Sequence, residues 1–398
     1  RSPQAFRDRF RIDVRTRHEA MAVDLDKRTV EVRDHEHERT YTTSFDTLHI
    51  GTGALPLRPP LPGIDLPLVH GVQTLEDAAH LLADVQRGDV RNVVVVGGGY
   101  IGLEMAEAFL KRGARVTVVE QAPQVMSTLD PDMGALVSEA VRTAGADVRC
   151  GTAVEGFEPD AVVTEDGPIP ADLVVLGLGV APNTRLAAEA GIRTGVKGAI
   201  TVDVRQRTSA EGVWAAGDCC ESFHLVARRP VHIALGTVAN KQGRVAGINL
   251  GGGYATFPGV VGTAVTKVCE TEAGRTGLSE REAREAGFEY EAVTVESTTR
   301  AGYFPGAGRI TVKVLAERRS GRLLGGQLVG VEGAAKRVDV LATALTAGMS
   351  VEEMTALDLS YAPPFAPVWD PVLVAARKAA DAVHQAETMG EPRRNTAP

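Results

Sequence analysis

Asn92-Val93-Val94-Val95-Val96-Gly97-Gly98-Gly99-Tyr100-Ile101-Gly102-Leu103-Glu104 is the stretch on which the fold turns. Four consecutive valines read as a strand buried on both faces, as in a parallel sheet covered by other layers. The apolar spacing over 101–111 reads as a helix. A second strand over 115–119 ends in Glu120, twenty-one residues after Gly99. Strand, Gly-x-Gly-x-x-Gly turn, helix, strand and acidic residue together form a dinucleotide-binding pattern. In it Gly97 permits the tight turn, Gly99 lets a pyrophosphate approach the backbone, and Gly102 lets the helix pack closely on the strand. The helix start, with Tyr100 and Ile101, faces the phosphates. Glu120 accepts hydrogen bonds from the ribose hydroxyls and repels a 2′-phosphate, which favours NADH over NADPH.

Working outward, the residues before this unit read as a different domain. Residues 12–50 alternate short β segments (19–25, 29–32, 47–50) with charged turns, and Ser2-Pro3 reads as a helix N-cap and first turn. Leu48-His49-Ile50-Gly51-Thr52-Gly53-Ala54 is an apolar strand running into a glycine turn. The five prolines of 55–67 exclude a helix or a central strand there, so this is a crossing between domains. Helical spacing over 75–87, then alternating strands and helices from Arg91 to about Pro182, predict a parallel sheet flanked by helices. A further strand over 212–216 ends in Ala216-Gly217-Asp218, and 231–250 reads as a helix. Taken alone, Asp218 is equally an ordinary helix N-cap. Its place after a glycine-rich strand end and a complete nucleotide fold suggests one domain inserted into another. After Gly251-Gly252-Gly253 come β runs near 260–269, 289–297, 309–315 and 323–329, then helical stretches 333–347 and 351–356, which predict an α+β domain. The polar tail beyond Ala380, carrying Pro392 and Pro398, reads as frayed.

Composition narrows the function. Of 398 residues, 44% are hydrophobic and 24% charged, which excludes wholesale disorder. The net charge of −8 argues against a nucleic-acid or anionic-membrane partner. No apolar run approaches the roughly 20 residues of a membrane span, and no signal-peptide h-region follows the arginine-rich start. Four cysteines with no CxxC pair give neither a disulfide framework nor a zinc pattern, so the expectation is a soluble, cytoplasmic protein without a structural metal.

The succession IGTGALPLRPPLPG, VVVVGGGYIGLEMAEAFLKRGARVTVVE, VVLGLGVAPN, VWAAGDC, ANKQGRVAGINL, AGYFPGA, KRVDVLATAL and LSYAPPFAPVWDP, spread over about residues 2–380, resembles the pyridine nucleotide-disulfide oxidoreductase superfamily. Within it the chain is most similar to coenzyme A-disulfide reductases and the related NADH oxidases and persulfide reductases. The resemblance implies an α/β architecture: a Rossmann-type FAD domain (incomplete, 1–72 and 183–252), an inserted NAD(P)H-binding Rossmann domain (73–182), an α+β dimerisation domain (253–380) and a tail (381–398). It implies a homodimer using FAD and NADH or NADPH. By this likeness Gly97, Gly99, Gly102, Glu120 and Gly179 line the NAD(P)H site, and Glu104 lies near the nicotinamide and flavin. Asp218, after Gly217, bonds the flavin ribityl chain, and the turn of Gly51, Thr52 and Gly53 lies near the FAD phosphates. Residues 234–241, with Ala234, Leu235 and Lys241, form a helix whose start approaches the flavin ring. Tyr303 and Tyr361 match the tyrosines that coenzyme A-disulfide reductases present to the redox sulfur from the partner subunit. A phenol can supply a proton to a leaving thiolate, though a pKa of about 10 makes it a poor base.

The chain departs from the pattern in one respect. Gly97 to Gly102 is its only full fingerprint, and none of Cys150, Cys219, Cys220 and Cys269 has the SxxxCG setting of the family's redox cysteine. Cys269 reads as core in an apolar β run. The chain is therefore read as lacking a first FAD unit of about 30 residues with its cysteine loop, and is expected to bind FAD weakly without disulfide turnover. The implied reaction is electron transfer from NAD(P)H through FAD and that absent cysteine to coenzyme A disulfide, or to a related small disulfide or persulfide. The alternatives are an NADH oxidase on the same scaffold and a nucleotide-binding module without catalysis. Lys336-Arg337 reads as a solvated or subunit-facing pair.

Overall fold

The computed structural model describes residues 2–88 and 90–390, which divide into two compact units. The first comprises Arg1–Leu55, Val180–Phe223 and Arg229–Gly259. Its first helix, Pro3–Phe10, is capped by Ser2, whose Oγ accepts the Ala5 N–H at 3.2 Å. Three antiparallel strands follow, His18–Asp24, Thr29–Asp34 and Arg39–Ser44. The third is mostly exposed and polar, which is why apolar alternation did not mark it. Strand Leu48–Ile50 pairs in parallel with Val213–Ala215, Leu48 opposite Val213 and Ile50 opposite Ala215. Their side chains join Ala187, Ile192, Ile200, Cys219 and Cys220 in one apolar core. The helix expected over 231–250 starts later, at Gly236, and runs to Leu250. Upstream, Pro230 and Val231 lie in a short strand, Arg229–Val231, because a ring lacking N–H and a β-branched neighbour favour extended backbone.

The second unit comprises Pro56–Gly179, His224–Arg228 and Val260–Pro398. Its parallel sheet has the order Val69–Gly71, Leu173–Leu176, Asn92–Val96, Arg115–Glu120, Asp147–Cys150. The four valines divide by strand alternation. Val93 and Val95 pack with Leu81, Leu103, Phe109 and Val137, from the helices Leu75–Gln86, Tyr100–Leu110 and Pro131–Thr143. Val94 and Val96 pack with Phe157, Val162 and Ile169 of a three-stranded antiparallel sheet on the other face. Each valine so buried contributes about 1.5–3 kcal/mol. Strand Val69–Gly71 pairs with Leu173–Leu176, so residues 56–72 lie with the nucleotide fold rather than on the far side of a boundary at 72.

In the same unit a five-stranded antiparallel sheet has the order Ala264–Val268, Thr271–Gly277, Leu323–Gly330, Arg309–Glu317, Tyr290–Thr298. Thr271–Gly277 escaped sequence reading because its Thr-Glu-Ala-Gly-Arg-Thr-Gly has no apolar alternation. Gly277, at φ +71°, lies where a Cβ would come 2.3 Å from the Leu324 carbonyl oxygen. Cys269 is not a core strand residue: it occupies the hairpin turn before this strand, half-buried at φ +54°. The frayed tail is corrected too. Helix Pro371–Gly390 continues to Gly390, with Val372, Ala375, Ala376, Ala379 and Val383 in the core. Pro392 and Pro398 lie outside the described residues. Arg337, read as solvated or subunit-facing, is instead tied down by Asp370 (2.8 Å) and the carbonyls of Thr299 (2.7 Å), Gly333 (2.8 Å) and Phe365 (3.0 Å).

Candidate functional site

At the glycine turn, Gly97 has φ +104°, and a Cβ there would meet the Gly177 carbonyl oxygen at 2.6 Å. A Cβ on Gly102 would lie 1.9 Å from the Gly97 oxygen, so helix Tyr100–Leu110 packs against the turn at a distance only glycine allows. Gly99 differs. It is the helix N-cap, no side chain caps the first N–H groups, and the space around a Cβ is open to 3.9 Å. Uncapped N–H groups beside open space form an anion cradle at the positive end of the helix. Gly179, at φ +85°, has no atom within 4 Å of a Cβ position.

Glu120 ends the next strand with its carboxylate already fixed. Oε2 accepts the Gly98 N–H and Oε1 the Ala122 N–H, each at 2.7 Å. Two backbone donors leave lone pairs free for a diol. Tyr100, expected at the cofactor, directs its hydroxyl to Thr128; burial pushes its pKa up despite that bond. Ile101 is half-buried in the first turn. Glu104 is exposed and held by Thr266 Oγ1, which donates to its Oε1 at 3.3 Å from strand Ala264–Val268. Thr266, 162 positions away, left no mark in the motif spacing.

The other unit brings Gly51, Thr52 and Gly53 beside Gly217 and Asp218, at the carboxyl ends of the paired parallel strands, the usual ligand position in an open α/β sheet. Ala216 N–H donates to Ile50 O at 3.2 Å, Asn183 N–H to Gly53 O at 2.9 Å, and Thr52 Oγ1 to Asn183 O at 2.5 Å. Asp218 Oδ1 is buried with no hydrogen-bond partner. A buried carboxylate oxygen left unpaired is costly, and a hydroxylated ligand chain such as a ribityl group would satisfy it. Residues 234–241 do not form a continuous helix. Ala234 precedes the helix, Leu235 is its extended N-cap without a side-chain cap bond, and Lys241 is exposed one turn in. Gln242 had escaped notice. It is buried, accepts the Gly217 N–H at 2.9 Å and donates to Ser222 Oγ at 3.0 Å. A polar residue within the buried stripe Val238, Gln242, Val245, Ala246 was the available sign.

Tyr303 and Tyr361 meet in the structure. They are neighbours, the Tyr303 hydroxyl raises the Tyr361 pKa, and both remain exposed, at 78% and 46%. Among the cysteines, Cys219 and Cys220 are buried with their sulfurs 3.7 Å apart. Cys220 is pushed up by its bond to Cys219 and by burial, and burial raises Cys150 and Cys269. Among the described residues no helix is long and apolar enough to cross a membrane, and no cluster of three or more metal-ligating side chains occurs.

Residues 4–243 match the family model described as pyridine nucleotide-disulphide oxidoreductase, and residues 263–371 match that family's dimerisation domain. The chain is 37% identical, over 94% of its length and 85% of the relative, to an NAD(P)H sulfur oxidoreductase (CoA-dependent) of Pyrococcus furiosus. It is 27% identical, over 92% of its length and 82% of the relative, to a coenzyme A disulfide reductase of Staphylococcus epidermidis. A NAD-dependent persulfide reductase from A. fulgidus superposes with a TM-score of 0.94 at 39% identity, covering 97% of this chain and 72% of that one. The mixed α/β fold, the glycine turn ending in Glu120 and the matched dimerisation domain agree with these likenesses: the chain belongs to the pyridine nucleotide-disulphide oxidoreductase family.

Proposed function

We propose that this chain serves a flavin-dependent NAD(P)H oxidoreductase whose acceptor is coenzyme A disulfide or a related small disulfide or persulfide. The observation that carries the nucleotide half is the open, uncapped helix start at Gly99 beside the prefixed Glu120 carboxylate. The acceptor class follows the names of the relatives. When bound, FAD and NAD(P)H supply the hydride and electron chemistry. The protein's own groups bind and orient. The N–H groups after Gly99 hold a pyrophosphate and Glu120 a ribose, Asp218 Oδ1 accepts a ribityl hydroxyl, and Thr266 fixes Glu104.

Tyr303 and Tyr361 present exposed phenols on the dimerisation domain, at the positions where coenzyme A-disulfide reductases, by resemblance, turn tyrosines toward a redox sulfur. The Tyr361 phenol is protonated at neutral pH and can donate a hydrogen bond to a departing thiolate, while the rise caused by Tyr303 makes it a weaker acid. The Cys220 thiol lowers Cys219 to about 6, but Cys219 is fully buried, Cys220 is buried and pushed up, and burial raises Cys150 and Cys269, so none of the four offers an accessible thiolate. Nucleotide binding without disulfide turnover is therefore expected of these 398 residues.

Calorimetry with NADH, the absorbance of added FAD, thiol release from coenzyme A disulfide and oxygen uptake test the reading together. NADH binding without thiol release supports it. Absence of NADH binding overturns the nucleotide assignment, NADH-dependent thiol release overturns the account of the cysteines, and oxygen uptake without thiol release favours an NADH oxidase.

A further inference from the structure

Lys313, on the interior strand Arg309–Glu317, is 4% exposed, unusual for a lysine. Its Nζ lies 2.6 Å from Glu280 Oε1, 2.8 Å from Asp132 Oδ1 and 3.4 Å from Asp130 Oδ2. Gln327, on the neighbouring strand, accepts the Asp130 N–H at 2.8 Å and donates to Asp130 Oδ2 at 2.6 Å. Glu280 N–H donates to Asp130 Oδ1 at 2.9 Å, and Arg275 donates to the Thr128 carbonyl at 2.7 Å. The antiparallel sheet thus grips residues 128–132, at the end of the loop that leaves Glu120.

That loop lies across the glycine turn. Met126, at φ +52°, donates its N–H to Gly98 O at 2.8 Å, and Val125 packs so closely on Gly98 that a Cβ there would lie 2.7 Å from Val125 Cγ1. The Gly98 and Ala122 N–H groups in turn hold the Glu120 carboxylate. The segment 121–130 thus holds one carboxylate oxygen of Glu120 through Ala122 and covers Gly98 through Val125 and Met126, and its far end is anchored by Lys313, Gln327 and Arg275.

We propose that Lys313 and Gln327 are positioning residues for the dinucleotide: the antiparallel sheet holds 121–130 as a strap over the glycine turn and so sets the geometry of Gly98 and Glu120. The inference rests on reading Gly97 to Gly102 with Glu120 as a dinucleotide site. It makes nucleotide affinity depend on residues of the antiparallel sheet, outside the glycine turn and its acidic partner.

The test uses the full chain at 25 °C, with NADH and with ADP-ribose as a probe of the adenosine half, in Lys313→Met, Gln327→Leu and Lys313→Arg. In variants that keep the native circular dichroism, Lys313→Met and Gln327→Leu weaken both ligands roughly tenfold, the scale of one lost well-placed hydrogen bond. Lys313→Arg restores binding to within about twofold, since the cation persists. Hydrogen exchange at the Ala122 and Met126 amides rises in the first two variants and not in the third. A purely structural role lowers the melting temperature and leaves both affinities and these amides unchanged, which overturns the proposal. Gln327→Leu, which keeps the buried cation, decides alone if Lys313→Met does not fold. Wild-type chain that binds neither ligand overturns the nucleotide reading itself, whereas wild-type binding matched by both variants overturns only the strap.

Discussion

Gln327 and Asp130, 197 positions apart, exchange two hydrogen bonds: the amide oxygen accepts the Asp130 N–H at 2.8 Å and the amide nitrogen donates to Oδ2 at 2.6 Å. One residue lies in the antiparallel sheet, the other at the N-cap of helix Pro131–Thr143 in the nucleotide fold. The pair replaces the helix's missing side-chain cap with a contact between two layers, so the helix start is fixed from outside its own sequence.

Gly99 and Gly102 are expected to respond differently to the same substitution. Gly102→Ala forces a methyl to within 1.9 Å of the Gly97 oxygen, a backbone atom that cannot yield cheaply. It costs at least about 1–3 kcal/mol of stability. Gly99→Ala has ordinary φ and open space, so its melting temperature stays near wild type while NADH binding weakens roughly tenfold. Thermal melts beside calorimetric titrations separate the two effects, and equal behaviour of both variants contradicts the cradle.

If Glu120 accepts the ribose hydroxyls as proposed, replacing it shifts nucleotide preference. Glu120→Ala removes a charged acceptor, a loss of about 1.5–3 kcal/mol toward NADH. It also removes the negative charge facing a 2′-phosphate. Competition between NADH and NADPH monitored by nicotinamide fluorescence should show the ratio of dissociation constants moving toward NADPH.

Stability depends on pH through the strap cluster. Burial alone would raise Asp132, Glu280 and Glu282, but Lys313 holds the first two down and Arg275 the third, so all three lie below their ordinary values of 3.8, 4.5 and 4.5. The unfolded chain takes up these protons first as pH falls. Their contribution is full above about pH 4.5 and is lost progressively as pH drops through the lower folded-state values. Lys313 has the opposite sign: raised above 10.5 by Asp132 and Glu280 against the effect of burial, it contributes fully below 10.5 and loses its share as pH climbs past the folded value. Urea unfolding at pH 7, 4 and 3 should show the acid loss, and Arg275→Met should flatten the part due to Glu282. Lys313→Met should lower stability at pH 7 by about 3 kcal/mol, because it leaves the buried Asp130 carboxylate without its cation, whereas Glu280 and Asp132 remain partly in water.

The tyrosine pair can be read without turnover. Tyr361 is raised by the Tyr303 hydroxyl. In Tyr303→Phe the Tyr361 phenol should titrate lower, closer to 10, in an ultraviolet pH titration. The melting temperature should hold, since both rings are exposed. An unchanged titration means that the two phenols do not interact in solution.

Much of this protein was legible along the chain because its signals are local. Val93 to Val96 with Gly97, Gly99 and Gly102 dictate a strand, a turn and a closely packed helix within a dozen residues, and Glu120 completes the unit one strand later. Short-range sterics, alternation and helical spacing are properties of neighbours in sequence, so they survive in a string of letters. Thr271–Gly277, Cys269 and helix Pro371–Gly390 were misread or missed because their conformations are imposed by partners elsewhere. Gly277, at φ +71°, lies so close to the Leu324 carbonyl that a Cβ would come within 2.3 Å of it. The sequence by itself thus determined the nucleotide fold, its carboxylate and the family. Only the tertiary structure decided that Thr266 holds Glu104, that Tyr303 meets Tyr361, and that Lys313 and Gln327 anchor the loop over the glycine turn. For Lys313, Gln327 and Asp130 the physical reason is burial, which makes an unpaired charge or amide too costly to leave alone, and that cost depends on neighbours far away in sequence.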